Sequence, residues 1–546
     1  RYLHQVCQSS LSLCVHWIKL AFHDNIYSYS CLNYTMDAFV CERGIALDMD
    51  KFVELFGNEA LLKLKKRLTI TSVDRMTKIP RKTSMFSIVR TKTMTVLEIP
   101  RFCLNMLKSK NYIDKISSHL SIGEKINCTY LGQSNPNQQV VVAHVLNMFR
   151  NKDMPFQGAT LKLMAGVGKS FVAMDLIGKI KRKTLIVVPN TYLLDQWVGL
   201  LNQYFPTSNI GVLYGKKKQD GDIIVSIINT IADLKEFEVK EKLPLPNIGK
   251  TQKYTKRTTT IMVDDLLSTV GLAVFDESQM YVSPEFRKAF KRIHARFTIG
   301  LSATPDIRED KLDKIHTAWL GPIIDANTLE NYSASQDAFQ SKATLIKYYA
   351  HDDHTAFTVR NDGVLDYQSI LETLINDPNR NKLIVDQIIR LANKGYYVFV
   401  FSDRRGHLEH LYELTSNRSF EVPTQLEMPE AELQQKIILY GGSDRETIQT
   451  ANTTSNIVFT TYQYSSTGVS IKKLNCLIQT TPRRSNMKQI INRIFRLGSD
   501  QNIERQLIDI IDMKLPIKNQ YRERLKAYKE RGSEIIFSNH VVDSIN

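Results

Sequence analysis

From Thr184 onward the chain alternates short apolar runs with segments long enough for a helix, and that rhythm admits few folds. Thr184-Leu-Ile-Val-Val-Pro189, Ile223-Ile-Val-Ser-Ile-Ile228, Gly271-Leu-Ala-Val-Phe275 and Phe297-Thr-Ile-Gly-Leu301 form a first series. Tyr396-Tyr-Val-Phe-Val-Phe401, Ile457-Val-Phe-Thr-Thr461, Leu474-Asn-Cys-Leu-Ile478 and Leu507-Ile-Asp-Ile-Ile511 form a second. Runs without polar alternation indicate strands covered on both faces, as in parallel sheets with helical crossovers. The expected fold class is therefore α/β, with two doubly wound parallel-sheet units. The turn-rich stretch from Thr317 to Ser341 is the expected hinge between them, and the Lys-, Thr- and Pro-rich stretch from Pro244 to Thr260 reads as a mobile insertion in the first.

A chain of 546 residues can hold about three or four domains, so both units and an N-terminal region fit. Hydrophobic residues at 43%, without low-complexity or repeat tracts, exclude a disordered chain and a solenoid. Lys and Arg (72) exceed Asp and Glu (56) by 16, which suits a polyanionic partner. Any single basic run, such as Lys63-Leu-Lys-Lys-Arg67, reads more readily as a solvated helix end or turn, so only the global excess carries this argument. The seven cysteines form no C-x-x-C pair and no zinc-finger spacing, so plain thiols in a reducing, intracellular compartment are expected. Leu11 to Phe22 is interrupted by His16 and Lys19 and falls short of the ~20 residues that span a bilayer, so no membrane association is expected.

Ala165-Gly-Val-Gly-Lys-Ser170 reads as a phosphate loop. Ala165, Gly166, Val167 and Gly168 would turn backbone N–H groups around phosphate oxygens at a helix start, Lys169 would reach the terminal phosphates, and Ser170 would ligate Mg²⁺. The strict pattern wants glycine at position 163, where Leu163 stands. About a hundred residues on, the apolar run Val274-Phe275 ends in Asp276-Glu277. Asp276 would hold Mg²⁺ and Glu277 would orient or deprotonate the attacking water. Such carboxylate pairs are common at strand ends, and this one gains meaning from following a phosphate loop in the same expected sheet.

With these motifs in order, residues Leu131 to Tyr528 resemble the superfamily 2 helicases, within the group containing XPB, the phage UvsW helicase and the poxvirus transcript-release helicase. Asn135-Pro-Asn-Gln-Gln139 resembles the adenine-recognising segment, with Gln138 as its reader. Val188-Pro-Asn-Thr191, continuing to Trp197, and Val225 to Thr230 resemble the segments that line the nucleic-acid track, which implicates Pro189, Asn190, Thr191, Asn229 and Thr230. Trp197 reads as a core aromatic. Gly300-Leu-Ser-Ala-Thr-Pro305 resembles the coupling motif, with Ser302, Ala303 and Thr304 sensing hydrolysis. Arg308-Glu-Asp310, followed by Leu320-Gly-Pro322, resembles the R-E-D element, and Arg308 is implied as a nucleic-acid contact. Val398 to Asp403, Thr461 to Ser470 and Gln489-Ile-Ile-Asn-Arg-Ile-Phe-Arg496 resemble the remaining motifs. They implicate Thr461, Gly468, Gln489, Arg493 and Arg496, the two arginines lying three apart on one helix face.

The resemblance implies two tandem RecA-like lobes, 131–325 and 326–546, after an accessory region, 1–130. It implies ATP and Mg²⁺ as cofactors, movement 3′ to 5′ on single-stranded or duplex DNA without sequence specificity, and roles in viral transcription, repair or recombination. RNA or a transcription complex is a further partner it implies, and a monomer the favoured state. Leu68 to Val73 and Leu97 to Arg101 resemble the accessory segment of viral relatives, whereas residues 1–60 match nothing. The sequence departs from the family at Gln279, where His is frequent, at Ser470, where Asp is common, and at Asn492, where Gly is usual. The same residues leave open a double-strand translocase without unwinding, or a non-catalytic nucleic-acid-binding subunit.

Overall fold

The computed structural model describes residues 38–542 apart from 74–79, 92–93, 109–115, 152–153, 165, 245–253, 307, 309, 334–338, 417–434, 442, 444, 467–470, 472, 484–486, 496–499 and 501. It divides into two compact units, one of residues 1–133, 141–162 and 173–326, the other of 134–140, 163–172 and 327–546. No described helix is long and apolar enough to cross a membrane.

The first unit opens with a five-stranded sheet of β1 (Ala38–Cys41), β2 (Gly44–Asp48), β5 (Ser87–Arg90), β6 (Thr95–Ile99) and β7 (Ile116–Ser118), in the order β5-β6-β2-β1-β7. Helix α1 (Met49–Arg67) starts where the Asp48 carboxylate accepts from the amides of Asp50 and Lys51. A hairpin of β3 (Thr69–Val73) and β4 (Pro80–Ser84) follows. The accessory sheet is fastened to the rest of the unit by Arg101. Its buried guanidinium donates to the carbonyls of Ala295 and Ile293.

The main sheet of this unit has eight strands: β8 (Gln157–Lys162), β9 (Thr184–Val188), β10 (Ile210–Tyr214), β11 (Lys217–Gln219), β12 (Ile223–Ile227), β15 (Leu272–Asp276), β16 (Phe297–Ser302) and β17 (Ile323–Asp325). Their order is β11-β10-β12-β9-β15-β16-β8-β17, and every pairing except β10 with β11 is parallel. Every residue of β9, β12 and β15 is buried, which is why these strands read as unbroken apolar runs.

The hinge expectation is corrected at its start. Residues Thr317 to Leu320 complete a helix that begins at Asp313, and β17 joins the first sheet beside β8. Gly321, at φ +121°, makes that turn possible, since a Cβ there would lie 2.3 Å from the Gly158 backbone. The insertion expected at Pro244 to Thr260 has described ends that belong to a longer ribbon of β13 (Glu236–Pro244) and β14 (Tyr254–Met262), a two-stranded sheet of its own. Residues 245–253 lie outside the described residues.

The second unit carries a seven-stranded sheet of β18 (Ser341–Tyr349), β19 (Val398–Ser402), β20 (Lys436–Leu439), β21 (Ile457–Thr461), β22 (Cys476–Gln479), β23 (Arg505–Asp512) and β24 (Glu534–Val541). Its order is β20-β21-β19-β22-β23-β18-β24, with every pairing parallel. Along β19 the side chains divide between two cores: Val398 and Val400 join one, Phe399 and Phe401 the other. The protein is thus an α/β molecule with two tandem RecA-like lobes, and the runs read as strands from sequence fall within or overlap strands of the two sheets.

Candidate nucleotide and nucleic-acid site

The candidate phosphate loop leaves the carboxyl end of β8 and enters helix α2 (Lys169–Ile180). Gly166 and Gly168 sit at φ +89° and +83°, backbone that favours glycine, and the Phe171 and Val172 amides close on the Gly168 carbonyl. Leu163, which stands where the strict pattern has glycine, is only 2% exposed and anchors the loop in the apolar interior. Ala165 lies outside the described residues.

Gln138 is buried and spans this loop. Its Nε2 donates to the Val167 carbonyl at 3.0 Å, and its Oε1 accepts from the Asn135 amide at 2.9 Å. The Asn135 side chain returns the bond by accepting from the Gln138 amide. The carboxamide expected to read adenine therefore also braces the loop, so close that a Cβ on Gly168 would lie 2.5 Å from its Nε2.

Asp276 ends β15, two strands from β8, so the point from which the loop springs and this carboxylate share the carboxyl edge of the sheet, about 10 Å apart by strand spacing. Asp276 is 6% exposed. Its Oδ2 accepts from Trp197 Nε1 and its Oδ1 from the Glu277 amide, both at 2.9 Å. The Tyr281 hydroxyl donates to the Asp276 carbonyl at 2.6 Å, and burial beside Asp276 and Glu277 pushes this phenol well above its ordinary range, so it remains a donor. Glu277 occupies the left-handed region at φ +49°, unusual for a residue with a side chain, which turns its carboxylate off the strand line. Gln279 Nε2 donates to Glu277 Oε2 at 2.7 Å.

Ser302 ends β16 and accepts the Thr304 amide on its Oγ at 3.0 Å, forming a tight turn around Ala303. Pro189 and Asn190 follow β9, and the Asn190 side chain caps helix α3 (Thr191–Tyr204) by accepting from the Leu193 amide. Asn229 is exposed and Thr230 half-buried just beyond β12. Four strand ends thus carry the candidate coupling, hydrolytic and nucleic-acid residues, and the phosphate loop follows a fifth. The Arg308 guanidinium meets Asp310 through Nε at 3.0 Å and a terminal nitrogen at 2.6 Å, a pairing within its own Arg-Glu-Asp element.

In the second unit Thr461 ends β21 and its Oγ1 accepts from the Tyr464 amide. Gln489 lies in a short helix, Met487–Ile491, which tightens into a 3₁₀ turn over Asn492–Ile494, with Arg493 buried. The helical turn carrying Arg493 ends at Ile494, and the shared face expected for Arg493 and Arg496 falls, with Arg496, Gly468 and Ser470, outside the described residues. The buried Arg505 holds this turn, donating from Nε to the Ile494 carbonyl at 2.7 Å and from its terminal nitrogens to Ile503 and Asp500.

A nucleotide-associated Mg²⁺ suits these residues chemically. The Asp276 carboxylate and the Ser170 hydroxyl are, each by itself, hard oxygen donors of the kind this ion takes.

Residues 132–307 match the family model described as Type III restriction enzyme, res subunit. A protein of African swine fever virus (isolate Pig/Kenya/KEN-50/1950), provisionally named an ATP-dependent RNA helicase, is 30% identical over 400 residues, covering 70% of each chain. The chain belongs to the superfamily 2 ATP-dependent helicases. A protein of Acanthamoeba polyphaga mimivirus with the same provisional name is 22% identical, over 73% of this chain and 68% of its own. The crystal structure of T4 UvsW aligns over 93% of this chain and all of its own, at 17% identity and a TM-score of 0.34.

Three contacts in this helicase chain were missed by reading its sequence. Trp197 reads as core and is core, yet its indole also reaches Asp276; Tyr281 and Arg505 carry no motif that marks them. All three contacts join residues distant in sequence or burial-dependent, and only the phosphate-loop, carboxylate and Ser-Ala-Thr strings had a local signal.

Proposed function

We propose that the chain hydrolyses ATP to move along single-stranded DNA, holding it by its backbone. Gly166 to Ser170 would cradle the phosphates, Ser170 and Asp276 would ligate Mg²⁺, and Glu277 would take a proton from the attacking water. Mg²⁺, when bound, would neutralise charge on the phosphates. Gln489, Arg493 and Arg496 are the family's candidates for the terminal phosphate. Ser302 and Thr304 would pass the state of the site to the strand, which Pro189, Asn190, Thr191, Asn229, Thr230 and Thr461 would grip without reading bases.

The observation that supports this reading most is the convergence of the first lobe's candidate residues on the carboxyl edge of one parallel sheet, where open α/β folds bind ligands. A second reading, RNA as the track, is favoured by the name of the African swine fever virus relative. ATP hydrolysis measured alone, with single-stranded DNA and with single-stranded RNA, beside Glu277→Gln, separates these readings. Stimulation by DNA that disappears in the variant supports the proposal, and stimulation by RNA alone moves the track to RNA. A folded chain that hydrolyses no ATP under any of these conditions overturns the motor.

A further inference from the structure

One buried side chain joins two parts of the proposed motor. Trp197 belongs to the apolar stripe of α3, with Leu193, Leu194 and Leu201, and is 1% exposed. Packing explains its ring, but not its polar atom. An indole offers one N–H donor and no acceptor, and this one is spent on Asp276 Oδ2 across 79 residues of sequence. The Glu277 amide holds the other carboxylate oxygen, so Asp276 cannot rotate without breaking one of two bonds.

The geometry points to Trp197 as a positioning residue that couples the nucleic-acid segment to the metal-ligating carboxylate, an inference that rests on the motor reading above. Pro189, Asn190 and Thr191 lead into α3, and Trp197 lies six residues after Thr191, about 9 Å along a rigid helix. A strand gripped at the start of α3 displaces the helix, the indole follows, and the orientation of the Asp276 carboxylate changes with it. Coupling of this kind needs a packed element with two positions rather than a contact with both ligands. Phenylalanine would fill most of the same volume and provide no donor, leaving the buried Oδ2 with one bond fewer and the carboxylate freer to turn.

Trp197→Phe in the full chain tests this. The readouts are the thermal midpoint, the Mn²⁺ concentration that half-saturates the chain with a non-hydrolysable ATP analogue, followed by electron paramagnetic resonance, and the analogue's dissociation constant with and without an oligonucleotide. Wild-type coupling of the usual size is ~5- to 150-fold. The variant is expected to keep its midpoint and its strand-free analogue affinity, to need roughly tenfold more Mn²⁺, and to lose most of the coupling, since an effect of one hydrogen bond to a charged group is about that large. Wild-type chain that shows coupling beside a variant with equal coupling and equal Mn²⁺ demand overturns the inference and leaves the motor standing. Wild-type chain whose analogue affinity no oligonucleotide changes overturns both. Should Trp197→Phe fail to fold, the double variant Trp17→Phe, Trp319→Phe leaves Trp197 as the sole tryptophan. Its emission is expected to shift when oligonucleotide is added before nucleotide, and emission indifferent to the oligonucleotide overturns the inference.

Discussion

Gln279 donates from Nε2 to Glu277 Oε2 at 2.7 Å, while its own Oε1 is buried without a hydrogen-bond partner among the described residues. A carboxamide satisfied at one end only is a costly thing to bury, and here its satisfied end restrains the carboxylate proposed to activate water.

Removing that restraint has a measurable signature. Gln279→Ala is expected to lower kcat for ATP about tenfold with KM little changed, because a bond to a charged group is worth roughly 1.5–3 kcal/mol and this one acts on the base rather than on substrate binding. Steady-state hydrolysis at saturating strand checks it; a rise in KM with kcat intact would place Gln279 in nucleotide binding instead.

Gln138 makes a different prediction, since its carboxamide braces the loop through Val167. Gln138→Ala is expected to raise KM for ATP and for GTP alike, by roughly five- to tenfold for one lost hydrogen bond. A pure adenine reader would show the loss with ATP alone. Parallel titrations of the two nucleotides decide between these.

His316 is fully buried, and neither ring nitrogen has a partner among the described residues. Burial, aided by the charge of Arg308, pushes its pKa down to about 4, so the ring folds neutral. The unfolded chain then takes up a proton that the folded one refuses, and the stability present above the unfolded histidine value of about 6.5 falls as pH drops towards 4. His407, held between Ser402 and Asn381 with its pKa lowered to about 3 by burial and then by Arg380 and His410, adds to the same slope. Urea midpoints between pH 7.5 and 5 are expected to fall, and to fall less steeply in His316→Leu. That variant is also expected to be more stable at neutral pH by about 1–2 kcal/mol, as it removes two unsatisfied nitrogens. An unchanged slope would show the ring to be protonated in the fold.

Arg505 closes the turn that carries Arg493 by donating to three carbonyls. Arg505→Met keeps the apolar stem and leaves those carbonyls unpaired, at a cost of about 3 kcal/mol or more. Arg505→Lys is expected to recover little of it, because an ammonium cannot span the three acceptors as a planar guanidinium does. Denaturant midpoints of both variants give the comparison.

How far the sequence disclosed this molecule depends on where each strand lies. β9, β12, β15 and β21 each hold three or more consecutive apolar residues and stand out for that reason. β8 did not, because Gln157, Gly158, Thr160 and Lys162 make it look polar. In the fold Thr160 donates to the Gly321 carbonyl, Gln157 to Met154, and Lys162 pairs with Asp306 and Asp325. Strings such as Gly300 to Pro305 announce their chemistry because the turn itself is local. The bond from Trp197 to Asp276 could not be read that way, since neither residue's neighbours predict which helix face meets which strand end. The pairing of Arg308 with Asp310, by contrast, spans two residues and lies within the Arg-Glu-Asp string itself.

The ribbon of β13 and β14 begins and ends at one place. Glu236 faces Met262 across its base, and just below them the Val263 amide donates to the Lys235 carbonyl at 2.8 Å. Nine paired positions carry the chain out about 30 Å and bring it back to where it left. Such an excursion is built like a cassette: shortening it beyond the buried Phe237 and its partner Ile261 is expected to leave the eight-stranded sheet in register. The connection from β12 to β15 is therefore the natural port through which this motor can be fitted with new attachments.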